Sequence, residues 1–105
     1  MSEPSISVSR DAGGGLVFDV IVHDGRGESR HRVTIQPDEA GRWAKFGTEP
    51  SRCVEAVMRF LLDREPKESI LSAFDMRVVR RYFAEFDDAF PGYLVRLGGE
   101  PRSRA

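Results

Sequence analysis

Arg77, Arg80 and Arg81 are the residues whose type and spacing come nearest to a binding chemistry. On a helix, the i, i+3, i+4 spacing puts all three guanidiniums on one side. Such a face can grip phosphates through planar, multidentate hydrogen bonds, and Arg59 or Arg64 would extend it. Val78, Val79, Tyr82 and Phe83 take the other side. Glu85, Asp87 and Asp88 follow within two turns and lower the local potential. Three phosphate contacts alone give weak, salt-sensitive binding. A solvated or protein-binding face is the more ordinary use of such a run.

The other reactive side chains form no catalytic set. His23 and His31 are the only histidines, and a zinc site needs three or four ligands. Hairpin pairing sends these two to opposite faces of a sheet, and Asp19 and Asp24 beside His23 are ordinary hairpin residues. No metal is expected. Cys53, the only cysteine, excludes an internal disulfide. It stands near a helix start, a position that activates thiols, but it adjoins an apolar stripe with no histidine nearby and reads as a small core residue. Asp63, Glu65, Glu68, Asp75, Glu85, Asp87 and Asp88 offer many carboxylates. Acid–base catalysis needs two held at a set separation in a pocket; helix caps and solvated faces account for these. Arg64, Lys67 and Glu68 suggest an intramolecular salt bridge locking a helix joint. Gly13-Gly14-Gly15 precedes a strand, whereas a phosphate loop leads into a helix, so the triplet is a turn. No catalytic residue and no cofactor are expected.

The elements that would position these residues are legible from periodicity. Ile6 and Val8 alternate with serines in a first short strand. Leu16 to His23 forms a second, with Leu16, Phe18, Val20 and Val22 on one face. Asp24-Gly25-Arg26-Gly27 reverses the chain. Ser29 to Gln36 forms a third, with His31, Val33 and Ile35 on one face. Even positions must pair with odd ones, so Val20 lies opposite His31 or Val33; a one-residue slip would bury Arg32.

Pro37 opens a short helix with Asp38 and Glu39 in its first turn and Ala40, Trp43, Ala44 and Phe46 inside; Gly47 stops it. Thr48 caps a second helix running to about Arg64. Its core stripe of Val54, Val57, Met58, Leu61 and Leu62, widened by Cys53 and Phe60, makes it the central helix. Glu55 and Arg59 form an exposed pair on it. Pro66 breaks that helix and starts a short one holding Ile70, Leu71 and Phe74. Asp75 caps another, carrying Val78, Val79, Tyr82 and Phe83. Phe86 and Phe90 continue the apolar side to Pro91-Gly92. Tyr93 to Leu97 is open between coil, strand and packed tail. The expected fold is α+β: a three-stranded antiparallel meander packed on one face by three to four short helices, with Met58, Leu61 and Phe74 at the centre. Residues 1–97 form one domain, and 98–105 a flexible tail.

A chain of 105 residues with ten aromatics can fill one core. Net charge is −1, which gives no global attraction to nucleic acid or an acidic membrane. The N-terminus has no apolar run after a basic start, so no signal peptide is expected, and no apolar run approaches a membrane span. These features, with a single cysteine, fit a cytoplasmic protein.

The stretch from Leu61 to Phe86 carries Arg64-Glu65-Pro66-Lys67-Glu68-Ser69-Ile70-Leu71, then Phe74-Asp75, then Arg81-Tyr82-Phe83. With a hairpin before it, this resembles a family of short uncharacterised bacterial proteins. Ala84 stands where proline is usual in them, while Glu85 and Phe86 match. The resemblance implies a bacterial cytosolic protein and no particular activity. The leading functional expectation is a non-enzymatic interaction or regulatory module with an unidentified protein partner. A weak RNA- or DNA-binding protein using Arg77, Arg80 and Arg81 comes second, and an enzyme with an unfamiliar site third.

Overall fold

The structure, a computed structural model, describes residues 4–13, 15–47 and 49–97. Strands β1 (Ser5–Arg10), β2 (Val17–Asp24) and β3 (Gly27–Thr34) come first. Then follow α1 (Pro37–Trp43) with a 3-10 turn at Ala44–Phe46, and α2 (Pro50–Leu62). A joint containing the 3-10 turn Lys67–Ser69 leads to β4 (Ala73–Asp75), α3 (Met76–Tyr82) and α4 (Phe86–Arg96). The α+β class and the antiparallel meander are as the periodicity indicated. Val20 pairs with His31 and Phe18 with Val33, one of the two registers that keep Arg32 out of the core. Gly27 closes the hairpin at φ 125°, a conformation open to glycine, and Gly47 ends the first helical segment at φ 73°.

Phe18, Val20, Val22, Val33 and Ile35 bury one sheet face in the same core as Cys53, Val54, Ala56, Val57, Met58, Phe60 and Leu61 of α2. Fully burying one such side chain stabilises by about 1.5–3 kcal/mol, so this two-layer contact dominates the fold. Beyond it lies an aromatic cluster. The Phe60 ring meets Phe83, Phe86 and Tyr93 edge-on at centroid distances of 5.5, 5.1 and 5.7 Å. Trp43 meets Phe90 edge-on at 4.9 Å. The other sheet face carries Ser7, Asp19, Ile21, Arg30 and Arg32 around a shallow hollow of about 420 Å3. Arg32 there pairs with Asp19 at 3.1 Å.

The second half differs from the periodicity reading in four ways. First, no helix spans Ile70–Phe74. Ile70 is extended, and Ala73–Asp75 joins the sheet as a fourth strand, parallel to β3, giving the order β1-β2-β3-β4. The outer edge of β3 has backbone groups to satisfy, and the Arg32 N–H donates to the Ser72 carbonyl at 2.8 Å. Second, Phe74 is partly buried at the edge of the core, not at its centre with Met58 and Leu61. Third, Tyr82 is exposed rather than packed. Fourth, the last helix runs through Pro91-Gly92 to Arg96. The spacing Phe86, Phe90, Tyr93, Leu94 lays four buried side chains along one stripe, and their burial outweighs the hydrogen bond that Pro91 cannot donate.

Smaller differences follow the same logic. Ala44 is exposed, and the Glu55–Arg59 pair is half-buried rather than exposed. Asp75 caps α3 as expected, accepting from the Arg77 N–H at 2.9 Å. That helix ends at Tyr82 without a proline, since Phe83 is extended. Thr48, Gly14 and the expected tail 98–105 lie outside the described residues.

Candidate functional site

The three arginines do not form one outward face. Arg77 and Arg81 are exposed; Arg80 turns inward. Its guanidinium grips Glu39 in a two-pronged contact, Nη1 to Oε1 at 3.0 Å and Nη2 to Oε2 at 2.6 Å. It also donates to Asp87, at 2.9 Å from Nη2, and lies 5.4 Å from the Phe86 ring centroid. Glu39 is only 3% exposed and accepts in addition from Trp43 Nε1 at 2.9 Å. The Glu39 carboxylate, with burial opposing it and Asp87 adding to it, raises the Arg80 pKa well above its ordinary value. Arg80 is therefore committed to holding α1 against α3 and α4. Arg77 lies 3.5 Å from Asp75.

The joint between α2 and β4 is fastened by buried polar contacts to the hairpin. Lys67 is only 3% exposed, and its ammonium bonds Glu68 at 2.6 Å and Asp24 in the β2–β3 turn at 3.0 Å. Glu68 first and Asp24 second raise the Lys67 pKa against the cost of burial. Asp24 is held below the usual carboxylate range by the Arg26 backbone N–H and then by Lys67. His31, buried in β3, donates from Nδ1 to the Leu71 carbonyl at 2.8 Å and accepts at Nε2 from Ser29 Oγ at 2.7 Å. Arg64 lies over the Phe60 ring at 3.7 Å and pairs with Glu85 at 2.9 Å. The segment expected to carry locking salt bridges carries them, and Lys67 reaches the sheet as well as its neighbour.

These contacts shape a groove. α2 and the joint supply Leu61, Glu65, Ser69, Ile70 and Leu71; β4 supplies Phe74; α3 and its end supply Val78, Val79, Tyr82 and Phe83. The volume is about 470 Å3, and the lining is apolar apart from Glu65 and Ser69. On α3, Val78 and Tyr82 are one turn apart and share the groove side. Two large apolar side chains rim it in the open, Leu71 at 53% exposure and Tyr82 at 71%. Exposed apolar residues clustered at one concavity, unlike scattered ones, mark a contact surface. The sequence does not disclose the groove, because periodicity alone assigns Leu71, Phe74 and Tyr82 to the core. The signal available was surplus: the segment holds more large apolar residues than its short elements can bury.

His23 is exposed and His31 is buried, on opposite sheet faces, and among the described residues no three His, Cys, Asp or Glu side chains gather to hold a metal. Cys53 is buried within α2. Among the described residues no helix is long and apolar enough to cross a membrane. No protein-family model, curated protein or solved structure matches the chain.

Proposed function

We propose that this protein is a small non-enzymatic interaction module of the cytosol whose contact surface is the groove between the joint, β4 and α3. The observation that carries this reading is the pairing of Leu71 and Tyr82, both in the open, over an apolar concavity. Covering such residues releases water and is the main driving force of protein association. The walls are held for the purpose: Lys67 and His31 pin the joint to the sheet, and the Asp75 cap fixes the start of α3. Nucleic-acid binding is less favoured because Arg80 is engaged by Glu39 and Asp87, which leaves Arg77 and Arg81 to meet an anion. Photo-crosslinking in the native cell tests the reading. With benzoylphenylalanine replacing Tyr82, a discrete protein adduct is expected; with the same group replacing Arg26 in the hairpin turn, none. No adduct at position 82 above that control would overturn it.

A further inference from the structure

The groove lies beside an open sheet edge, and both bear on what covers it. In the order β1-β2-β3-β4, β4 has a neighbouring strand on one side only among the described residues. The Arg32 N–H to Ser72 carbonyl bond sets the phase of the parallel ladder. Alternate residues of β4 face β3, so Phe74 bonds inward and Ala73 turns its N–H and C=O outward. Ala73 is exposed, and its side chain is a single methyl group, which leaves room for another backbone.

The charges on the two sides of β4 are opposite. Before it, the joint bears Glu65 and also Glu68, the latter bonded to Lys67, while Arg64 is taken up by Glu85. After it, α3 bears Arg77 and Arg81, both exposed. Glu65 and Arg81 have no ion pair among the described residues. A partner of one charge sign would satisfy one side and oppose the other. A partner carrying both signs in reversed order satisfies both, and a second copy of this chain is such a partner.

We propose that the groove is covered by a second copy, joined about a two-fold axis through antiparallel pairing of the two β4 edges. This rests on the groove being a contact surface, as argued above. Centred on Ala73, the pairing exchanges two backbone hydrogen bonds between Ala73 and its mate. Since β4 leads from the joint into α3, antiparallel pairing sets the joint of each copy against α3 of the other. Leu71 then meets the apolar wall of the partner, and the glutamates meet the arginines. The contact is isologous, so it closes at two copies and leaves no edge for further growth. Two hydrogen bonds alone are too few to hold it, so the apolar cover and the charge order must supply the rest.

Sedimentation equilibrium of the full chain tests this. A dimer is expected below about 100 µM. Ala73→Pro removes the outward donor without touching a bond to β3, and edge strands tolerate proline. It should give a folded monomer, with folding read from Trp43 fluorescence and circular dichroism. Arg81→Glu and Glu65→Arg should each weaken the dimer by about tenfold or more, and the double variant should recover it. A monomeric wild type overturns the proposal, as does a dimer indifferent to all of these changes. A monomer that still gives an adduct of different mass at position 82 overturns the second copy while leaving the interaction module standing. No adduct of any mass at that position removes both.

Discussion

Arg80 and Arg81 are adjacent in sequence and opposite in surroundings, and substitution should separate them. Arg80→Gln leaves the Glu39 carboxylate buried without its cation, a loss that costs about 3–5 kcal/mol when a buried pair is broken on one side. Arg81→Gln and Arg77→Gln alter exposed side chains and should fall within about 0.5 kcal/mol in a monomeric preparation. Urea denaturation of the three single variants checks this; equal effects would show that Arg80 is not structural. Phe60 and Phe74 offer a similar contrast. Phe60 is fully buried among three rings, so Phe60→Ala should cost about 3–5 kcal/mol. Phe74 is partly exposed in the groove, and Phe74→Ala should cost clearly less. The burial of Phe60 was legible in the stripe of its helix, whereas the Arg80–Glu39 pairing and the edge position of Phe74 were not. Glu39 looks like a helix-start acid and Arg80 like a surface cation, because their pairing spans 41 positions. Local sequence reports which face an element hides, and a charge hidden by a distant partner leaves no periodic trace.

Among the elements, the sheet was the most legible because alternation over β2 and β3 is strict and one slip would bury an arginine. The joint and α4 were the least. Pro66 and Pro91-Gly92 look alike as stops, yet the first ends α2 and the second lies inside α4. What distinguishes them is the stripe Phe86, Phe90, Tyr93, Leu94, which continues past the second. Pro91→Ala restores a donor to the helix ladder and should stabilise the domain; a lower unfolding midpoint would contradict that. The joint should respond to pH. Asp24 is depressed when folded, so its contribution is present above its unfolded value of about 4 and lost as pH falls through the folded one. Lys67 is raised, so its contribution is full below about 10.4 and lost as pH rises through the folded value. Lys67→Met should therefore flatten the alkaline limb of a stability–pH curve and make the acid limb shallower, since Asp24 would keep the Arg26 N–H but lose the ammonium. Unchanged slopes in denaturation at pH 3–11 would show that the contact contributes nothing.

At the scale of the molecule, one core serves both halves. The buried faces of β2 and β3 share a single core with side chains of α1, α2, α3 and α4, and α2 packs both β1 and α4. The strands alone would expose a full apolar face, so a fragment of residues 1–47 should show no cooperative unfolding. In the intact chain, Trp43 fluorescence and far-ultraviolet circular dichroism should trace one coincident transition. Separate midpoints would mean that the α1–α4 cluster around Trp43 melts apart from the sheet. The parallel fourth strand has a further consequence, for the order in which the chain takes shape. The hairpin of β2 and β3 needs only contacts near in sequence, whereas β4 can dock only after residues 35–72 have folded back. Contacts that close long loops form late. During synthesis from the N-terminus, β3 keeps an open flank until residue 75 has cleared the ribosome, and α4 must still arrive to complete the aromatic cluster. The groove is thus among the last surfaces of the domain to exist, and whatever occupies it is recruited by finished chains rather than nascent ones.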